Sequence, residues 1–221
     1  MKTSLNTIIY IVRHTDVDNP NDLLYGRLPR FGLSALGRKQ AAHTADVLAN
    51  TPIDAFYSSP MLRARQTISI IAAKHPGVPV HISSLLNEVK TGWQGKPHSA
   101  LEAIRFDFYN QPVYVHDEGL DAVWARISRF VKRVRRSHNS QSVLAVTHGD
   151  IFALARAGFR GLPIHITSIR LPHPYPGKGG ILKLTFTDPE QMLPSQIEYY
   201  DPNGEDPVWS SGWTILEPAQ P

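Results

Sequence analysis

"IIYIVRHTDVDN", residues 8–19, decides how the rest of the chain is read. From Thr7 to Val12 nearly every residue is β-branched, aromatic or aliphatic, with no polar alternation. That is the pattern of a short strand buried on both faces. Arg13 and His14 follow at once. A buried strand does not accommodate two such side chains in a row, so they lie past its end or are there for chemistry. The pattern returns in "SVLAVTHGD", residues 142–150, where an apolar run passes into His148 and a segment that reads as helix over 149–157.

The intervening chain alternates. Ser34 caps a predicted helix over 34–49, whose small apolar positions Ala41, Ala42, Ala45 and Ala49 follow helical spacing. A short strand at 54–58 leads to a second helix, with Ser59 as cap and Pro60 at the first helical position. "VPVHI" (78–82) suggests a third strand and 99–109 a further helix. In 119–136, Leu120, Val123, Trp124, Ile127, Val131 and Val134 form one stripe. Arg126, Arg129, Lys132, Arg133 and Arg136 fall mostly off it, as on a solvated face. "ILKLTFT" (181–187) and "QIEYY" (196–200) suggest a late edge pairing. Strands alternating with helices predict an α/β fold: a three-layer α/β/α sandwich around a mostly parallel sheet. No linker interrupts the chain, so one domain over 1–221 is expected, with a Pro-rich tail at 202–221 left unassigned.

Composition narrows the function. Hydrophobic content of 42% and charged content of 19% over 221 residues are ordinary for a soluble globular protein. The net charge of +4 selects no partner by itself. The absence of cysteine excludes disulfides, thiolate metal sites and cysteine nucleophiles, and suits a reducing compartment. The first apolar run is too short for a signal peptide, and no stretch approaches a membrane span, so a cytoplasmic protein with no membrane partner is expected. The basic helix lacks interleaved stacking aromatics, so no nucleic-acid partner is expected. No histidine pair has metal-ligand spacing. Oligomeric state is open.

The chemistry gathers where strands end. Arg13 and His14 follow the first strand, Arg63 lies in the first turn of the helix after the second, and His148 ends a third. In open parallel sheets ligands bind outside the carboxyl ends of the strands, beside helix N-termini. If these strands are neighbours, two arginines and two histidines converge. Guanidinium forks and helix N–H groups seat a phosphate dianion. A neutral imidazole there can attack phosphorus, and nearby cations lower its pKa and keep it neutral. The second histidine can stabilise charge on the equatorial oxygens. Arg63 in a first helical turn opposes the helix dipole unless an anion is bound.

"VRHTD", "LSALGRKQA", "YSSPMLRARQT" and "VLAVTHGD" together resemble, in order, the signatures of the histidine phosphatase (phosphoglycerate-mutase-like) superfamily. The resemblance implies that Arg13, His14, Arg63 and His148 form a phosphate pocket, with His14 becoming phosphohistidine, and that no metal or cofactor takes part. It also implies a carboxyl acid, which "LLNEVKTGWQGK" supplies as Glu88; Glu102, Asp117 and Glu118 are alternatives. Asn19 matches a phosphate-contacting asparagine, and Gly26 and Arg27 a substrate-side loop. Thr15 and Asp16 depart from the family's Gly-Glu. Thr15 either narrows the pocket, reshapes the loop or adds a donor to the phosphate. His165 and His173 lie in a stretch that could edge the pocket. The expected activity is hydrolysis of a small phosphomonoester, with specificity in 96–117 and 164–180. A phosphoglycerate-type mutase and a non-catalytic phospho-ligand-binding domain are the alternatives.

Overall fold

The computed structural model describes residues 6–170, 175–204 and 207–219. Its strands are β1 (Thr7–Arg13), β2 (Ala55–Ser58), β3 (Val80–Ile82), β4 (Ser142–Thr147), β5 (Ile181–Phe186), β6 (Gln196–Tyr200) and β7 (Thr214–Ile215). They form one sheet in the order β3-β2-β4-β1-β5-β6-β7. β3, β2, β4 and β1 run parallel, while β5, β6 and β7 add antiparallel pairings on the other side of β1. The sheet is thus parallel where the sequence motifs lie and antiparallel toward one edge. Its register pairs Arg13 with Thr147 and Ser58 with Val146, so β1, β2 and β4 end level with one another.

The helices are α1 (Ala35–Leu48), α2 (Leu62–Ala72), α3 (His98–Glu102), α4 (Leu120–Ser137), α5 (Gly149–Phe159), α6 (Ile166–Arg170) and α7 (Pro207–Ser210). Alternate residues of the central strands feed two cores. Ile9, Ile11, Val143 and Ala145 pack with Val123, Ile127 and Phe130 of α4 and with Phe152 of α5. Tyr10, Val12, Leu144 and Val146 pack with Leu48 of α1 and with Ile68 and Ile71 of α2. A strand buried on both faces needs apolar residues at every position, which is why β1 and β4 lack polar alternation.

The second helix begins later than expected. Met61, not Ser59, occupies the cap position, and the helix starts at Leu62. Ser59 Oγ accepts from Met61 N–H at 3.3 Å and also lies 2.7 Å from His148 Nε2. The helix expected over 99–109 stops at Glu102. There Arg105 N–H bonds to Glu102 O and Phe106 N–H to Leu101 O, both at 2.8 Å. That turn holds Arg105 at φ 51° and Phe106 at φ 57°, a left-handed backbone that costs a non-glycine residue about 1–2 kcal/mol. Arg126, expected on the solvated face of α4, is only 8% exposed. The tail carries α7 and β7, and β7 pairs with β6. No described helix is long and apolar enough to cross a membrane.

Candidate active site

Because three parallel strands end level, the segments that leave them meet. His14 and His148 stand with ring centroids 5.2 Å apart, and Arg63 reaches both from α2. Arg63 Nε donates to His14 Nε2 at 3.2 Å, and its Nη2 lies 3.0 Å from His148 Nδ1. Nη2 also donates to Gly26 O at 2.8 Å, and the guanidinium rests on the Tyr25 ring at 4.5 Å. Arg63, His14 and His148 are at most 1% exposed. Burial, then the charge of Arg63, holds both histidines well below the ordinary histidine range, so both are neutral at pH 7. His14 Nδ1 lies 2.8 Å from the carbonyl of Thr15 and must be the protonated nitrogen, which leaves a lone pair on Nε2.

The loop behind His14 explains its motifs. Ser34 caps α1 by accepting from Gly37 N–H at 2.9 Å and donates to Asp16 Oδ2 at 2.6 Å. Gln40 Oε1 accepts from Asp16 N–H at 3.0 Å. Gly37 sits so close that a Cβ there would stand 2.0 Å from Asp16 O. Ser34, Gly37 and Gln40 thus clamp the chain that presents the imidazole.

Glu88 Oε2 lies 3.7 Å from His148 Nδ1 and 3.9 Å from Arg63 Nη2. Burial raises its pKa; Arg63 opposes that rise and the Asp150 charge adds to it. Its backbone is tied down, since Arg27 Nε and Arg126 Nη2 donate to Glu88 O at 2.7 and 3.2 Å. The other carboxylates are occupied elsewhere. Glu118 binds Arg126 and Arg27, and Asp117 accepts from Gly92, Val113 and Tyr114 N–H groups. Glu102 is exposed.

Arg13, Asn19 and Gly26 line a cavity of about 630 Å³ together with His14 and Glu88. Arg13 donates through Nη1 to Pro176 O and stacks 4.8 Å from the Tyr175 ring, while its Nε is buried with no partner among the described residues. Asn19 is bonded to Leu23 through both side-chain atoms. Arg27 lies off the cavity, tying Glu88 to Glu118. Thr15 is fully buried with its hydroxyl 3.4 Å from Thr67 Oγ1, and it is not on the cavity wall. His165 is exposed beside Thr167 and does not line the cavity. His173 lies outside the described residues.

Sequence reasoning did not find Asp150, Tyr109 and Tyr175. Both tyrosine hydroxyls donate to Asp150, each at 2.6 Å. Lys178, which pairs with Asp16, and Arg105 and Phe106 also reach the wall; they lie in the stretches 164–180 and 96–117 expected to carry specificity, though not singled out there. The "HGD" that follows β4 was the one signal pointing to Asp150.

A family model, the histidine phosphatase superfamily (branch 1), matches residues 9–192. An uncharacterized protein of Mycobacterium tuberculosis is 52% identical over 69 residues, a match covering 31% of this chain and 34% of that protein. The chain therefore spans about a third of the length of that relative. The adenosylcobalamin/alpha-ribazole phosphatase of Escherichia coli is 27% identical over 165 residues, 70% of this chain and 80% of that one. Phosphoserine phosphatase 1 of Hydrogenobacter thermophilus is 31% identical over 63% of this chain and 70% of its own length. The fold matches that of a mycobacterial glucosyl-3-phosphoglycerate phosphatase, with a TM-score of 0.73 at 22% identity over 97% of this chain and all of the other.

Proposed function

The chain belongs to the histidine phosphatase superfamily, branch 1, and from that premise we propose that it hydrolyses small phosphomonoesters through a phosphohistidine on His14. The single observation that carries the reading is the tautomer of His14: with Nδ1 bonded to the Thr15 carbonyl, Nε2 is unprotonated, and its lone pair, which accepts from Arg63 Nε, is the one that can turn to phosphorus. Nε2 attacks phosphorus as the bond to the alcohol oxygen breaks, and the Glu88 carboxyl gives its proton to that oxygen. Water then attacks the phosphohistidine, Glu88 takes its proton, and inorganic phosphate leaves. Arg13, Arg63 and His148 hold the charge on the transferring oxygens.

One atom each of His14, Glu88 and His148 lie within 4.8 Å of one another, a spacing that could hold a metal ion. Arg63 already contacts all three, at 3.2, 3.9 and 3.0 Å. A fixed guanidinium does there what a cation would do, and we assign no metal. The relatives are named for phosphoserine, alpha-ribazole and glucosyl-3-phosphoglycerate, which supports a small phosphomonoester as partner.

Purified protein should hydrolyse p-nitrophenyl phosphate undiminished by EDTA, and His14→Ala should lose at least ~10³-fold of that activity. Loss of activity to EDTA would overturn metal independence. Isomerisation of phosphoglycerate faster than its hydrolysis would make the protein a mutase. Phosphate binding with no turnover of any ester would make it a binding module.

A further inference from the structure

We propose that Arg105 and Phe106 form the specificity end of the cavity, and that the preferred substrate is the phosphate of a bulky, ring-bearing alcohol carrying a second anionic group. This deepens the phosphatase reading and rests on it. A cavity of about 630 Å³ is far larger than one phosphate needs and falls in the range of sites for drug-sized ligands. Beyond the phosphate seat, Leu24, Val89, Phe106 and Phe108 give the wall an apolar stretch. Such a surface favours a ring or hydrocarbon body over a short polyhydroxylated one.

The charges on the wall are mostly committed. Lys178 pairs with Asp16, His98 Nδ1 lies 2.5 Å from Asp22 Oδ1, and Asp150 accepts from two tyrosines. The phosphate takes Arg13, with Arg63 behind it. Arg105 is exposed, lines the cavity, and has no ion pair or side-chain hydrogen bond among the described residues. It is the cation left for a carboxylate or second phosphate.

The backbone supplies an independent reason. The paired bonds from Arg105 N–H to Glu102 O and Phe106 N–H to Leu101 O make the helix stop whose pivot usually is glycine. Here the pivot is Arg105 at φ 51°, followed by Phe106 at φ 57°. Of the five described non-glycine residues with positive φ, Asp22, Arg105 and Phe106 all line this cavity. Stability alone favours glycine at 105, so the arginine is held there against its backbone preference, as at sites where side chains serve ligands.

The test uses the full chain with three probes: 4-(carboxymethyl)phenyl phosphate, its neutral methyl ester, and O-phosphoserine. The wild type should favour the carboxylate over the methyl ester by about tenfold or more in kcat/KM, the scale of one charge-assisted hydrogen bond. Both aryl esters should exceed phosphoserine. Arg105→Gly should bring the carboxylate-to-ester ratio to about one while raising the thermal midpoint by about 2–4 °C. Arg105→Ala should lose the ratio without the thermal gain, and Arg105→Lys should keep most of the ratio. A ratio unchanged in Arg105→Gly, a lower midpoint in that variant, or a wild type that prefers phosphoserine would each overturn the proposal. Turnover of phenyl phosphate that depends on His14 separates the two failures: if present without a carboxylate preference, only this proposal falls. If it is absent, the phosphatase reading falls and takes this proposal with it.

Discussion

At the scale of single residues the site pushes two proton affinities toward each other. Free histidine titrates near ~6.5 and glutamate near ~4.3, so a pH that leaves the imidazole neutral has already ionised the carboxyl. Here burial and Arg63 lower His14, while burial and Asp150 raise Glu88. Both shifts run toward the forms the proposed mechanism needs, a neutral imidazole and a protonated carboxyl. We expect a bell-shaped profile for a poor leaving group: His14 protonation sets the acid limb and Glu88 ionisation the alkaline limb. Glu88→Gln should abolish the alkaline limb and slow an alkyl phosphate at least ~10²-fold, with a much smaller loss on p-nitrophenyl phosphate. Asp150→Asn removes a charge that raises Glu88, so its alkaline limb should move to lower pH, read from kcat against pH. Arg13, His14, Arg63 and His148 were legible because each sits in a local motif. Asp150, Tyr109 and Tyr175 were not, because their bonds join segments 25 to 41 residues apart.

At the scale of elements, α4 shows how periodicity misleads. Residue 126 falls between Val123, Ile127 and Phe130, all buried, so it lies at the edge of the apolar stripe and not opposite it. Arg126 turns inward to Glu118, and its Nη1 donates to Leu85 O at 2.9 Å. Arg126→Ala should cost about 2–3 kcal/mol, because it leaves a partly buried carboxylate short of a partner. Urea denaturation would measure it. The same variant should lower kcat, since Glu88 O loses one of its two donors. Helix bodies were readable from spacing and their ends were not. Ser59 looks like a cap in sequence, yet its hydroxyl meets Met61 N–H ahead of the helix and serves His148. The helix at α3 ends early because the chain turns left-handed at Arg105.

At the scale of the molecule, the parallel half of the sheet was legible because doubly buried strands are apolar at every position. That β5 runs against β1 was not, since strand direction follows from connections and not from composition. The site in turn weighs on overall stability. His14 and His148 are held neutral in the fold, so their folded pKa values lie below the unfolded ~6.5. As pH falls below ~6.5 the unfolded chain takes up protons first, and stability drops with it. The thermal midpoint should therefore be lower at pH 5.5 than at 7.5, with part of the difference lost in His148→Gln. If the proposed pocket seats inorganic phosphate only when folded, phosphate should raise the midpoint in proportion to the logarithm of its concentration.

β1 pairs with Ser142–Thr147 on one side and Ile181–Phe186 on the other, at Ile8 joining Ser142 and Thr185. The strand that delivers His14 is therefore translated long before either flanking strand leaves the ribosome. Until then it is an unpaired apolar ribbon with both edges open, the state most prone to sticking to other chains. Chaperone demand during synthesis should concentrate on that interval. Nascent chains arrested before residue 142 should be protease-sensitive throughout and devoid of turnover.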